Sequence, residues 1–556
     1  MEERRPLPDW IRLIVIWIVT VLLVAFCYLL FVARNLEAIT AIDALDYAQI
    51  SRNLADGKGY TTDFIKPLSL TRVPSLDPQP ELVFPPLHPL FMAPFIKVLG
   101  AGKNAVALAS GLPFLATLLL TYLLGLRLFD RRAAILGTAL FGLNLWALSY
   151  SISGLEVCLL GLIFMGLLLV LHAYGQDERR RLWLAMAAGA LVGLLGLTKE
   201  IWAVALLPVG FYLAYWVGRP GRVKMVGVML GAFLVVMLPW WIRQAVLVGN
   251  PFFTWRWYEI TMMTMTNPGN TLYRSYTPSL VSPLTFMIYH PGEMLQKIRT
   301  GADMLYPVLL ALGGPFVAAF FIVGIMVPLG SAVFERMRYL VYGVYGLLVL
   351  LLVVVLPDQR ALYPLAPIVA LTGAAFFLRI LVPLVRNYGP REQYRYTTWA
   401  IAAFVVLQAF PLLANLTAQQ RPGERSMAAR AEQLAQEVSN LTTGPIVTDV
   451  PWWTAWYGKQ KSIWLPRSWE DMERLQQDIG QIRYVVLTPM VQQTESTERT
   501  QEWARLWLAA RIGQPVAYRG FVVYRILPDN WVILRKEPTL PSRDTGTGGA
   551  GGGGTD

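Results

Sequence analysis

The chain has 556 residues, of which 55% are hydrophobic and only 15% charged, and it carries a formal net charge of +12. Soluble globular domains have about a quarter of their residues charged, so this composition excludes an ordinary soluble enzyme and indicates an integral membrane protein. The basic excess is broken into short clusters between apolar runs, the pattern of membrane loops, which sets nucleic acid aside as a partner.

Taken in chain order, the first apolar run, 11–33, is longer than a signal-peptide core and lacks a convincing cleavage site, so it reads as a retained anchor. Runs of spanning length recur near 104–126, 133–151, 155–174, 182–198, 201–217, 225–247, 302–330, 338–356, 361–382 and 397–416, giving eleven expected spans. The pair covering 182–217 also suits a re-entrant hairpin. Lys and Arg gather in alternate connections: Arg4 and Arg5, then the clusters at 127–132, 179–181, 219–224, 336–338 and 379–395. The opposite short loops, near 153, 199 and 359, are nearly bare. This bias puts the N-terminus in the cytoplasm, with the loops 34–103 and 248–301 and the C-terminal segment on the outer side. Compact loops suggest a bacterial inner membrane.

Beyond Leu416 the composition changes. "GPIVTDV", "RYVVLTP", "FVVYRIL" and "WVILRK" read as short strands, the last two joined by a "PDN" turn, and "SWEDMERLQQDIG" is a Ser-capped helix. The expected architecture is therefore an all-α polytopic membrane bundle over 1–417 with a small external α/β domain over 418–540. A Gly-rich tail, 541–556, is expected to be disordered.

The stretch "AIDALDYAQISRNLADGKGY", from Ala41, places carboxylates just after the first span. On a helix over 43–56, Asp43, Tyr47, Ile50 and Leu54 share one stripe and Asp46 stands about 60° to its side. Asp43 then lies on the face that packs against the spans, partly withdrawn from water. Two readings remain open: Asp43 as the helix N-cap with Asp46 in the first turn, or Asp43 as a general base.

"DALDYAQISRNL" resembles the first external loop of polyprenyl-phosphate-dependent glycosyltransferases of the GT-C fold, a group that includes the lipid A aminoarabinose transferases and the protein O-mannosyltransferases. The resemblance implies an external active site in which Asp43 is the catalytic acid of the pattern D-E-x-x-Y-A-x-I and Tyr47 its aromatic. The second acid of that pattern falls on Ala44, a departure, with Asp46 two residues on. "FPPLHPLF" is similar to the family's K-P-P or H-P-P segment, but Phe84 stands where a cation is usual. "SGLEV" places Glu156 where relatives carry a second acid, "GLTKE" is similar to T-K-G and places Lys199 at an outer helix end, and "QRALYPLAP" resembles R-Y-L-L-P and places Arg360 likewise.

Each residue also has a plain structural reading. Glu156 and Lys199 could mark the interface, Arg360 could simply pair with Asp358, and His88, between prolines, could be structural. The aromatics at 239–241 and 252–258 suit interfacial anchoring, with Arg256 among them a weaker phosphate candidate.

The resemblance implies an inverting transferase that moves a monosaccharide from a polyprenyl-phosphate donor to a lipid, glycan or protein acceptor. Asp43 would act on the acceptor, Lys199 and Arg360 on the leaving phosphate, and Glu156 on the sugar. No cofactor is expected, and His88, His172 and His290 are too far apart in sequence to suggest a metal site. A ligase or polymerase of lipid-linked glycans would share this topology. A transporter or flippase is the remaining alternative, although the charged groups fall at span ends and not near mid-span.

Overall fold

The computed structural model describes residues 9–217, 219–277, 281–324, 326–329, 332–385, 390–418, 422–498, 501–514 and 517–537. Arg4, Arg5 and the tail 541–556 lie outside the described residues. The protein is an integral, multi-pass membrane protein. Among the described residues eight helices are long and apolar enough to cross a bilayer: Ile14–Asn35, Lys103–Leu128, Val157–Gln176, Arg181–Thr198, Gly221–Val248, Phe334–Val354, Gln359–Leu381 and Arg395–Thr417.

Two of the expected spans are bent pairs, Arg131–Gly142 with Leu145–Ser151 at 64° and Pro291–Ala311 with Phe316–Val323 at 96°, and counting each pair as one span gives up to ten among the described residues. Each bend has a local cause. Asn144 caps a new helix by accepting from the Ala147 amide. At the second bend Gly313 and Gly314 take φ of +76° and +121°, which other residues rarely adopt, and the Gly313 carbonyl accepts from Gln408 Nε2.

The expectation of eleven full spans is corrected at 201–217. That segment forms a shorter apolar helix, Glu200–Tyr215, whose first six residues wind as a 3₁₀ turn. Its sixteen residues reach about 24 Å if wholly α-helical, short of a hydrocarbon core of ~30 Å.

The helix Gln359–Leu381 lies at the centre of the bundle, with 94% of its apolar window buried, against 11% for Ile14–Asn35. Small residues allow the tightest approach: a Cβ on Gly189 would fall 2.0 Å from the Met229 carbonyl oxygen, so Arg181–Thr198 and Gly221–Val248 can meet there only through glycine.

A seven-stranded sheet covers one end of the bundle. Its strands are β1 (Phe64–Ile65), β2 (Ile446–Thr448), β3 (Ser462–Trp464), β4 (Tyr484–Leu487), β5 (Ala517–Tyr518), β6 (Phe521–Leu527) and β7 (Trp531–Lys536), in spatial order β1-β3-β2-β4-β7-β6-β5. The first four are parallel and the last three run antiparallel. Ser468 caps the helix Trp469–Ile479 from the Asp471 amide. The β6–β7 turn places Asp529 and Asn530 at φ of 56° and 59°, a conformation that Asp and Asn tolerate.

The edge strand β1 comes from the loop after the first span: Phe64 pairs with Ser462 and Ile65 with Ile463. From the helix Ile42–Ala55, the buried Arg52 donates to the carbonyls of Trp456 and Ala455 at 2.7 and 2.8 Å. The sheet and the juxtamembrane helix are therefore one packed body, and the sheet lies over the end of the bundle where Asp43 sits.

Candidate active site

The helix Ile42–Ala55 begins after Ala41, which has no capping side chain, so Asp43 is not the N-cap. Its Oδ2 instead accepts from Arg360 Nη1 at 2.6 Å. Arg360 Nε donates to Asp358 Oδ1 at 2.9 Å, and Lys199 Nζ donates to Asp358 Oδ2 at 2.7 Å and Glu156 Oε1 at 2.6 Å. Three carboxylates and two cations thus alternate in one chain, Asp43–Arg360–Asp358–Lys199–Glu156.

The helix ends explain why the residue types fall as they do. Asp43 lies in a first helical turn, Glu156 at the N-cap of Val157–Gln176, and Asp358 at the N-cap of the turn Gln359–Ala361. Lys199 is the C-cap residue of Arg181–Thr198. The three carboxylates sit at helix starts and Lys199 at the end of Arg181–Thr198, positions whose dipoles favour their signs, although Lys199 is also the N-cap residue of the turn Glu200–Ala205.

Burial alone would raise the Glu156 carboxyl, but Lys199 and Arg360 overcome it and hold the group down at about 2. Burial would likewise raise Asp358, and the same two cations push it far below the usual carboxylate range. Lys199 is raised above its ordinary value because Asp358 and Glu156 outweigh the desolvation that would lower it. Glu156, Asp358 and Lys199 are therefore ionised at neutral pH. One oxygen of Glu156, Oε2, is buried without a hydrogen-bond partner.

Tyr47 is buried beside this chain, its ring 4.7 Å from Phe84 and 4.9 Å from His88. Burial, then the Glu156 charge, keeps the phenol neutral. His88 is fully buried, and burial lowers it below its ordinary value. Its Nε2–H donates to the Gly154 carbonyl at 2.9 Å, holding the turn that delivers Glu156. The structure thus gives His88 a fastening contact and no open surface.

Asp46 is not part of the Asp43 chain. It is 1% exposed; Oδ2 accepts from Lys66 Nζ at 2.6 Å and Oδ1 from Gln49 Nε2 at 2.8 Å, while Glu81 lies 3.9 Å from the same ammonium. Burial pushes Asp46 up to about 7 in spite of Lys66.

Arg256, on the 3₁₀ segment Trp255–Thr261, donates to Glu259 Oε1 at 2.8 Å. Its guanidinium lies 5.0 Å from the Phe84 ring centre, and the Lys66 ammonium lies 5.1 Å from the same centre. Phe84 stands where the resembled motif carries a cation, and the fold brings two cations to its ring from other segments.

A cavity of about 270 Å³ opens beside these groups. Its lining includes the polar Tyr47, Lys199, Glu200, Thr254, Arg256, Glu259 and Asp358 together with the apolar Ile201, Val204, Leu351, Leu352, Val355 and Leu356, the last four at the end of the span Phe334–Val354. Lys199 and Arg256 line it; Asp43, Glu156 and Arg360 adjoin it through the ion chain. Among the described residues no three His, Cys, Asp or Glu side chains are grouped to hold a metal ion.

Sequence reading missed Asp358 as the hub of the chain, and it missed Glu200, Thr254 and Glu259 on the cavity wall. Asp358 had a signal, an acid beside Arg360 in a loop otherwise poor in charge. The other three had none, because their meeting depends on the path of the loop after Val248.

Residues 83–242 match the family model described as dolichyl-phosphate-mannose-protein mannosyltransferase. Among solved structures the chain is similar to the oligosaccharyltransferase AglB from Archaeoglobus fulgidus, in complex with an inhibitory peptide and a dolichol-phosphate. The TM-score is 0.55 at 13% identity, covering 94% of this chain and 75% of that one. It is also similar to ArnT from Cupriavidus metallidurans bound to undecaprenyl phosphate, with a TM-score of 0.55 at 15% identity over 96% of this chain and 99% of that one. No curated protein sequence matches. At such identities the likeness establishes the fold, which is the GT-C type that the juxtamembrane motif implied.

Proposed function

We propose that this protein is an inverting glycosyltransferase that moves a monosaccharide from a polyprenyl-phosphate donor to an acceptor hydroxyl at the outer face of a bacterial inner membrane. The observation that carries the reading is the mixed lining of the cavity: it joins apolar side chains such as Leu351, Leu352 and Leu356 to the cations Lys199 and Arg256, and its Asp358 is linked through Arg360 to Asp43. A lipid phosphate has this division of chemistry, with a tail that stays in hydrocarbon and an anion that needs cations at the interface. The dolichol-phosphate of AglB and the undecaprenyl phosphate of ArnT are ligands of that class. The alternation of basic loops supports an N-terminus in the cytoplasm.

In this reading the apolar lining takes the first units of the prenyl chain. Arg256 is the main phosphate ligand, because it has one acidic partner, Glu259, whereas Lys199 is already held between two carboxylates. Arg360 orients Asp43 through Oδ2, leaving Oδ1 to take the acceptor proton. As the acceptor oxygen bonds to the anomeric carbon, the bond from that carbon to the phosphate oxygen breaks. Its electron pair leaves with the lipid phosphate, where Arg256 and Lys199 stabilise the growing charge. One displacement inverts the anomeric centre. Glu156, with one oxygen unpartnered, fixes Lys199 and through it the whole chain.

Asp43→Asn tests the assignment. The amide can still accept from Arg360, so fold and lipid binding are kept while the base is lost. Transfer should fall by about 10²–10⁴-fold, with binding of undecaprenyl phosphate unchanged within about twofold. Transfer at the wild-type rate by a folded variant would overturn the base assignment.

A further inference from the structure

Of the three carboxyl groups on the cavity wall, Asp358 is paired with Lys199 and Arg360, and Glu259 is paired with Arg256. Glu200 has no ion-pair partner within 4 Å among the described residues. Its Oε2 accepts from Thr254 Oγ1 at 2.6 Å, a bond that joins the start of the Glu200–Tyr215 helix to the loop that carries Arg256. Oε1 has no protein partner among the described residues, and the side chain is only partly covered, opening to the cavity.

We propose that Glu200 is the residue that reads the sugar of the lipid-linked donor, its Oε1 accepting hydrogen bonds from sugar hydroxyls. This rests on the glycosyltransferase reading and deepens it. Burial raises the Glu200 carboxyl to about 7, and Lys199 and Arg256 on the same cavity wall already serve the phosphate, so the complement of Glu200 is a neutral polyol with O–H donors. The apolar lining accounts for the tail and Lys199 with Arg256 for the phosphate, which leaves the sugar as the part of the donor that meets Glu200. The Thr254 bond fixes the rotamer, so one oxygen is presented in a set direction. Thr254 lies two residues before Arg256, so sugar and phosphate recognition share one loop. The bland role, a carboxylate placed for the dipole of the turn Glu200–Ala205, does not require a partner across the cavity. In the resembled T-K-G motif this position is glycine, so the carboxyl is a feature of this chain's own cavity.

The test compares equilibrium binding of two probes to the purified full-length protein in detergent. One is undecaprenyl phosphate, which lacks a sugar; the other is a panel of undecaprenyl-phosphate mannose, glucose and galactose. The wild type should bind at least one sugar-bearing lipid more tightly than the bare one. Glu200→Ala should remove that gain, by about threefold to tenfold for a side-chain hydrogen bond, and leave undecaprenyl phosphate within about twofold. Glu200→Gln, which still offers an acceptor oxygen, should recover part of the gain. Arg256→Ala should weaken both probes alike. An equal loss for both probes in Glu200→Ala, no loss for either, or no wild-type preference for any sugar-bearing lipid would overturn the sugar-reading role while leaving the transferase reading standing. A wild type that binds neither probe would overturn the transferase reading itself.

Discussion

Replacing Lys199 with methionine removes the cation between Glu156 and Asp358 while keeping most of the side-chain volume. The ammonium lies 2.6 Å from Glu156 and 2.7 Å from Asp358, and the three side chains are 13%, 1% and 12% exposed. Asp358 would keep Arg360, but Glu156 would be left buried and unpaired. Breaking a buried pair from one side costs about 3–5 kcal/mol, and the remaining exposure puts this case at about 3 kcal/mol. The variant can recover by protonating Glu156, since the cations that hold that carboxyl at about 2 against burial would be reduced to the more distant Arg360.

The direction with pH follows from which state holds the proton. In the wild type Glu156 is depressed, so its contribution is fully present above the ordinary carboxylate range and is lost only as pH falls toward about 2. Between pH 5 and 8 it gives a flat profile. In Lys199→Met the folded state binds a proton that the unfolded chain has released, so stability falls as pH rises through and above the ordinary carboxylate range. At 1.36 kcal/mol per pKa unit, about 3 kcal/mol corresponds to about two units. Thermal unfolding in detergent of wild type, Lys199→Met, Glu156→Gln and the double variant, each at pH 5 to 8, measures this. The double variant should be more stable at pH 8 than Lys199→Met alone. If the two single effects simply add, or if Lys199→Met has the wild-type pH profile, the ion chain does not couple these groups and the reasoning is refuted.

Two other groups carry sharp expectations. Asp46, pushed up to about 7 by burial, faces Lys66, Glu81 and Gln49; the folded state therefore keeps a proton that the unfolded chain loses, and stability should fall as pH rises from about 4 to about 7. Asp46→Asn should flatten that slope in thermal unfolding, and an unaltered slope would refute the assignment. Lys297 donates to the carbonyls of Glu259, Ile260 and Val355, each at 2.7 Å, tying the Arg256 segment to the end of a span. Lys297→Met takes the donor from the Ile260 and Val355 carbonyls, while Glu259 keeps the Met262 amide, at about 1–3 kcal/mol for each carbonyl left unsatisfied. Tryptic cleavage after Arg256 should quicken severalfold and undecaprenyl phosphate should bind more weakly; wild-type cleavage would show that the ammonium does not hold the segment.

The spans and most of the strands were legible in the sequence because their causes are local. The bilayer sets the length of an apolar helix, and the alternation of "FVVYRIL" with "WVILRK" around "PDN" describes a hairpin without reference to the rest of the chain. The helix Ile42–Ala55 and its first-turn Asp43 could be read for the same reason. The two bent spans, the short helix at 200–215 and the two-residue strand β1 could not. A bend depends on what receives the freed backbone groups, such as Gln408 at Gly313, and β1 exists only because β3 is there to pair with it.

Hydropathy and spacing were enough to place charges at the outer helix ends, and with the resembled motifs they made site candidates of four of the five members of the ion chain, Asp43, Glu156, Lys199 and Arg360. The sequence also offered the Arg360–Asp358 pair; the other partners follow from the packing. The tertiary structure made Asp358 the hub, sent Asp46 to Lys66, and brought Arg256, Glu200 and Thr254 to one cavity. Helical periodicity fixes the side of a helix on which a residue lies, but which neighbour covers that side depends on how the helices pack and how long loops return.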